Sequence, residues 1–144
     1  MNNQSVNQKE IVEVVRQVIE QGFNQGNYTA LDELIPDHIQ EHQAGLHGDR
    51  EGFKRDIQFL RGAFPDLNLT IEEMLLDGDR VWVRSTARGT NLGPFMGPPT
   101  RKQIEITVFD VCRVQNGQVV EHWGVPDRFT LLQQIGRLPG ARPE

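Results

Sequence analysis

A single cysteine, Cys112, stands among 144 residues. That excludes an internal disulfide framework and a zinc site built on cysteines alone, and it suits a reducing cytoplasm. Aromatic residues are scarce at 7%, and Tyr28 is the only tyrosine. No run approaches the roughly 18 apolar residues of a membrane span. Basic residues are outnumbered, 15 against 20 acidic ones, for a net charge of -5. Nucleic acids and anionic membranes both require a basic surface, so neither is an expected partner. Internal repeats and low-complexity tracts are also missing.

What is present reads as one globular domain. Apolar residues make up 37% and charged residues 24%, the balance of a chain that can bury a core. The opening MNNQSVNQKE is polar and lacks the apolar stretch of a signal peptide. The expected organisation is a disordered tail over 1–8, a folded domain over 9–138 and a C-terminal tail over 139–144.

Helical periodicity comes first. Ile11, Val14, Val15, Val18 and Ile19 repeat at helical spacing within 9–21, and Gly22 is expected to stop the helix. A shorter helix is expected after Thr29, whose hydroxyl can cap it, and Pro36 breaks it. A third starts after Asp49. Its Phe53, Ile57, Leu60 and Phe64 form one apolar stripe.

The pattern then alternates. Leu67, Leu69 and Ile71 read as a half-buried strand, Asp77-Gly78-Asp79 as a turn, and Val81, Val83, Ser85 and Ala87 as the returning strand. A Gly/Pro loop covers 89–99. Strands follow from about Lys102 to Val114 and from Gln118 to Val125, joined by the hairpin signal Asn116-Gly117. A short helix with Leu131, Leu132 and Ile135 ends at Gly136. Helices first and antiparallel strands second mean an α+β domain. A curved sheet wrapped around the helices makes a cone with an internal cavity, the default ligand site.

Counting outward from the Asn116-Gly117 turn pairs Val114 with Val119, Cys112 with Glu121, and Asp110 with Trp123. Asp110 then shares a face with Ile104, Ile106, Val108, Cys112 and Val114. A carboxylate there must be paired, solvated in a pocket, or functional, because burying it alone is costly. One partner within reach is the indole of Trp82 or Trp123. Glu121 and Asp127 have the same parity in an uninterrupted strand, and a bulge would break it. Asp127 precedes a helix and can also serve as its N-cap.

His38-Ile39-Gln40-Glu41-His42 matches the H-x-x-E-H pattern of a zinc hydrolase. That chemistry needs a helix, which Pro36 and Gly45 leave little room for. An extended segment instead puts His38, Gln40 and His42 on one face. Gly89, Gly93 and Gly97 make no phosphate loop, since no Lys-Ser/Thr follows at a strand-to-helix junction.

These stretches carry a family signature. FPDLNLTIEE, GDRVWVRSTARGT, GPFMGPPT, FDVCRVQNGQVVEHW and DRFTLLQQIG occur in the order found in the SnoaL-like polyketide cyclases, which the chain resembles over nearly its whole length. Their superfamily also holds ketosteroid isomerases, limonene epoxide hydrolases and nuclear transport factor 2. The resemblance implies an α+β cone, a homodimer or homotetramer through the outer sheet face, and acid–base chemistry on a small hydrophobic carbonyl or polyketide-like substrate, with no cofactor or metal. It also implies an aspartate after Trp123, where this chain has Gly124, and a histidine that falls on Asp110. The family's G-T-H reads Gly89-Thr90-Asn91 here. His42 matches a family histidine after the second helix.

The candidate catalytic groups are therefore Asp110, Asp127 and His42. Asn91 is a candidate oxyanion donor, and Trp82, Phe95, Met96 and Trp123 are candidate substrate walls. The alternative is a non-catalytic protein that binds a small hydrophobic ligand, suggested by Gly124. An epoxide hydrolase would need an arginine, and the nearest, Arg113, has the wrong strand parity. Isomerase chemistry of the ketosteroid kind needs an inward tyrosine, and Tyr28 lies near a helix start.

Overall fold

The computed structural model describes residues 3–138. Helix α1 (Asn3–Gln17) starts inside the stretch expected to be a tail and runs into a π-helical extension, Val18–Asn24. The expected tail at 139–144 lies outside the described residues. Val15, Val18 and Ile19 are buried, as their spacing requires. Gly22 does not stop the helix. A Cβ there would sit 3.1 Å from Leu31 Cδ2, so Gly22 is where α2 (Leu31–Leu34) closes onto the first helix. Thr29 does not cap α2, which follows a 3₁₀ turn, Tyr28–Ala30. Its hydroxyl bonds Asn27 Oδ1 at 3.0 Å instead.

Helix α3 (Arg50–Ala63) begins as expected: the Asp49 carboxylate accepts the Gly52 N–H at 2.9 Å. Its Phe53 and Ile57, with Phe64 just beyond its end, turn into the core.

Five strands form one mixed sheet. They are β1 (Gln40–Glu41), β2 (Asn68–Asp77), β3 (Arg80–Thr90), β4 (Gln103–Gln115) and β5 (Gln118–Pro126). The order is β1-β5-β4-β3-β2, with β1 parallel to β5 and the other pairs antiparallel. Val81, Val83, Ser85, Ala87 and Gly89 of β3, and Ile104, Ile106, Val108, Cys112 and Val114 of β4, are the buried members of their alternating patterns. The curled sheet wraps α1 and α3, and α4 (Arg128–Gln134) closes one end with Leu131 and Ile135. This is the expected α+β cone.

The hairpin register departs from the count. Asn116 and Gly117 adopt φ 52° and 73°, as a tight two-residue turn requires. Gln115 pairs with Gln118 and Val114 with Val119, as counted. The register then shifts: Arg113 faces Glu121, Cys112 faces His122, and Asp110 faces Gly124. Val120 is the extra residue of a β-bulge. The expected pairs Cys112–Glu121 and Asp110–Trp123 are each displaced by one residue. Since side chains alternate, a one-residue slip reverses which face each occupies. His122 turns inward, and Glu121 and Trp123 turn outward.

The Gly/Pro loop seals the cone beside α3. A Cβ on Gly93 would stand 2.0 Å from the Gly62 carbonyl oxygen. Only glycine lets the loop lie this close to the end of α3 and bring Phe95 inside.

Candidate active site: a histidine held between two carboxylates

The sheet and helices enclose a cavity of about 340 Å³. Phe23, Phe53, Phe64 and Phe95 contribute aromatic wall, and aliphatic side chains from the first helix and its π-helical extension, from α3 and from the inner face of the sheet fill most of the rest. Gln43, Asp56, Asp110, His122 and Arg128 are its polar lining.

Three groups on three strands meet at its wall. Asp110 Oδ1 lies 2.7 Å from His122 Nε2, and Glu41 Oε1 lies 2.7 Å from His122 Nδ1. β4 supplies the aspartate, β5 the histidine, and parallel pairing of β1 brings the glutamate alongside. The Glu41 side chain is 2% exposed, His122 13% and Asp110 15%. Glu41 Oε1 also accepts the Gln43 backbone N–H at 2.9 Å, while its Oε2 is buried without a partner.

The electrostatics follow from this geometry. Burial disfavours the His122 cation, but hydrogen bonds to Asp110 and Glu41 outweigh it and raise the pKa from 6.5 to about 9. An imidazolium can donate both N–H groups at once; a neutral ring would turn a lone pair towards one carboxylate. His122 is thus a cation at neutral pH. Burial, together with the charges of Asp110 and Glu41, pushes the neighbouring Cys112 thiol well above its ordinary value. Cys112 remains a neutral thiol, without the thiolate character a nucleophile needs.

Several expected site residues lie elsewhere. Asp110 bonds His122 rather than a tryptophan indole. Phe95 and Met96 line the cavity, Phe95 buried and Met96 exposed. His42 does not enter it: the ring stacks on Trp123 at 4.6 Å, and Nε2 bonds Glu121 Oε2 at 2.8 Å. Trp123 follows His122 along β5 and so takes the outer face, with Arg80 over its ring at 5.2 Å. Trp82 is also on the outer face, 52% exposed. Asn91 is fully buried, but as a loop staple. Its amide donates to the Ala63 and Gly93 carbonyls and accepts from Thr100 N and Oγ1, which leaves nothing for a substrate.

Asp127 is the cap of α4. It accepts from Thr130 N at 3.0 Å and Oγ1 at 2.6 Å, which holds its carboxyl below the usual value. It is exposed and stands outside the cavity lining. Asp127→Ala is expected to lower the melting temperature, followed by circular dichroism, while ligand binding in the cavity stays unchanged. Loss of binding at full stability would return Asp127 to the site.

The zinc pattern also disperses. The backbone of His38 pairs with that of Asp49 in an isolated β-bridge, the Glu41 side chain points to His122, and the His42 side chain points to Glu121. Arg113, the arginine considered for epoxide chemistry, bonds Glu121 at 2.8 Å on the outer face.

A model of the SnoaL-like polyketide cyclases matches residues 13–135. The chain belongs to that family. Among solved structures, this SnoaL-like chain is 36% identical to IdmH from Streptomyces antibioticus, covering 88% of this chain and 98% of that one, with a TM-score of 0.78. AclR from Streptomyces galilaeus is 26% identical, covering 92% and 99%, with a TM-score of 0.79. TsrD from Streptomyces laurentii is 22% identical, covering 96% and 99% with a TM-score of 0.80, a likeness of fold. A search of curated proteins finds no match.

Sequence alone does not single out His122 as a site residue of this SnoaL-like chain, and it presents Glu41 only as the glutamate of the zinc pattern. The one available signal for His122 is Val119-Val120, two successive β-branched residues that interrupt the alternation just before it. Nothing in the sequence signals that β1 pairs beside β5.

Proposed function

We propose that this protein is an acid–base catalyst of the cyclase or isomerase kind, acting without a cofactor on a small hydrophobic carbonyl compound. The observation that carries the reading is the Asp110–His122–Glu41 chain at the wall of an apolar cavity of about 340 Å³. Asp110 is the base. Its Oδ1 is engaged by His122, and its other oxygen is free to take a proton from a carbon next to the substrate carbonyl. The C–H bond breaks, its electron pair moves to the carbonyl oxygen, and the proton rests on Asp110. The resulting enolate carbon attacks a second carbonyl of the same molecule, closing a ring, and Asp110 returns the proton to the new alkoxide. Return to a different carbon gives isomerisation instead.

His122 and Glu41 position the base. The imidazolium orients Asp110 and offsets its charge, and Glu41 holds the ring in place. The resemblance puts an aspartate at 124 and a histidine at 110. Here position 124 is glycine, position 110 is the aspartate, and the histidine is at 122. On this reading the acid–base pair has exchanged strands rather than been lost.

The test is proton exchange. β-Tetralone, a bicyclic ketone with acidic α-hydrogens, is incubated with the protein in deuterium oxide and followed by NMR. Exchange faster than with heat-denatured protein is expected. Binding without any exchange would favour the second reading, a ligand-binding protein, which Gly124 and the apolar lining also suit.

The outer sheet face suits a second copy of the chain. Leu75, Trp82, Phe109 and Val125 are 69%, 52%, 54% and 70% exposed on it. The ladder sets Leu75 beside Trp82, Trp82 beside Val111, and Phe109 beside Val125, so apolar side chains run across β2 to β5. Phe109→Glu is expected to convert a dimer or tetramer into monomer by light scattering; an unchanged mass would move the interface elsewhere. The free buried thiol of Cys112 fits a reducing cytoplasm.

A further inference from the structure

Gly124 faces Asp110 across the β4–β5 ladder. A Cβ at 124 would stand 2.0 Å from Gln43 Oε1 and 2.8 Å from both Asp110 Oδ1 and His122 Cε1. Three polar side chains therefore converge on the space that any side chain at 124 would fill. The missing side chain has a tenant, the carboxamide of Gln43.

The placement of Gln43 is built rather than incidental. Its backbone N–H is held at 2.9 Å by Glu41 Oε1, the same oxygen that bonds His122. Its carbonyl accepts the Leu46 N–H at 3.2 Å, turning the chain back over the cavity. Its side chain lines the cavity and has no hydrogen-bond partner among the described residues. A carboxamide beside a carboxylate and an imidazolium, with its donors unspent, can bind an oxygen that arrives with a ligand.

We infer that Gln43 is the residue that recognises the substrate's carbonyl oxygen, and that glycine at 124 exists to admit it. Gln43 Nε2–H donates to that oxygen and fixes the neighbouring carbon against Asp110. The ligand class is an apolar ring system bearing one oxygen that can accept a hydrogen bond at its edge. The inference rests on the proposed role of Asp110 as base, and it fails separately from it.

The experiment compares two probes of nearly equal shape, β-naphthol and naphthalene, titrated into wild type and three variants. Wild type is expected to prefer β-naphthol by about five- to tenfold, the worth of one ordinary hydrogen bond. Gln43→Leu is expected to bring the two affinities within about twofold by lowering that for β-naphthol, while naphthalene affinity is retained and reports an intact cavity. Gly124→Ala is expected to reproduce this with Gln43 present, because the methyl group evicts the carboxamide. Asp110→Asn is expected to keep most of the preference. Wild type without a preference, or Gln43→Leu with the full preference, overturns the inference. So does a preference that disappears in Asp110→Asn but survives in Gln43→Leu, since the oxygen would then be bound by the carboxylate. Tetralone exchange that is absent from wild type while the naphthol preference follows Gln43 would reject the base and keep the recognition residue.

Discussion

Asp110→Asn is expected to reduce β-tetralone exchange by about 10²–10⁴-fold, the usual contribution of a positioned general base. The substitution is nearly isosteric. An asparagine oxygen can still accept the His122 Nε2–H now made at 2.7 Å, so the link between β4 and β5 survives. What disappears is the carboxylate that receives the proton. Circular dichroism is expected to stay close to wild type, while the melting temperature falls modestly, because the His122 cation keeps its ion pair with Glu41 and loses the one with Asp110; lost exchange in protein that is still folded separates loss of chemistry from loss of fold. Exchange retained at the wild-type rate would remove Asp110 from the role of base. The cap variant Asp127→Ala provides the contrast, because that carboxylate binds Thr130 at the helix start. The two aspartates are thereby predicted to differ: Asp110→Asn loses exchange in protein that stays folded, and Asp127→Ala loses stability while ligand binding persists.

The second large effect is on stability as pH changes. His122 has its pKa raised from 6.5 to about 9, with burial opposing the cation and the bonds to Asp110 and Glu41 prevailing. A histidine whose folded pKa is raised stabilises the fold most below its unfolded value, where both states are protonated and only the folded state has the ion pairs. The contribution declines as pH rises from 6.5 towards 9 and is absent above it. A shift of this size corresponds to about 3 kcal/mol. Urea unfolding of wild type and His122→Gln, in buffers from about pH 6 to about pH 10, checks this against the linkage slope. The variant is expected to be less stable at the acid end, and the gap to close by the alkaline end. A gap that is constant with pH would mean that His122 is held in its neutral form. Exchange activity is expected to decline across the same window, because the cation that orients Asp110 is lost.

The bulge explains both why the site could be partly read from sequence and why half of it could not. Strand alternation alone places Asp110 with Ile106, Val108 and Cys112, and all of these line the cavity. The same alternation, carried along β5 without interruption, sends His122 outward and Trp123 inward. One extra residue at Val120 reverses both. His42 and Trp123 then meet as a stacked pair on the outside, and His122 is the histidine that faces the cavity. Asn91 differs from its expected role for another reason. Its polar side chain in a Gly/Pro loop is consistent with a substrate contact, but its four bonds to Ala63, Gly93 and Thr100 staple the loop instead.

The local features were determined by the sequence itself. Helical spacing placed α1 and α3, Asp49 capped α3, Asn116-Gly117 made the hairpin, and alternation chose the inner face of β3 and most of β4. Each depends on residues a few positions apart, so neighbouring side chains and turn chemistry are sufficient to specify it. The tertiary structure alone decided that Glu41, Asp110 and His122 form one proton-holding unit, and that Gln43 fills the space beside Gly124. Glu41 and His122 are 81 positions apart in the chain. Their meeting depends on a parallel pairing and a single bulged residue, both set by how the whole sheet curls around the helices rather than by any local pattern.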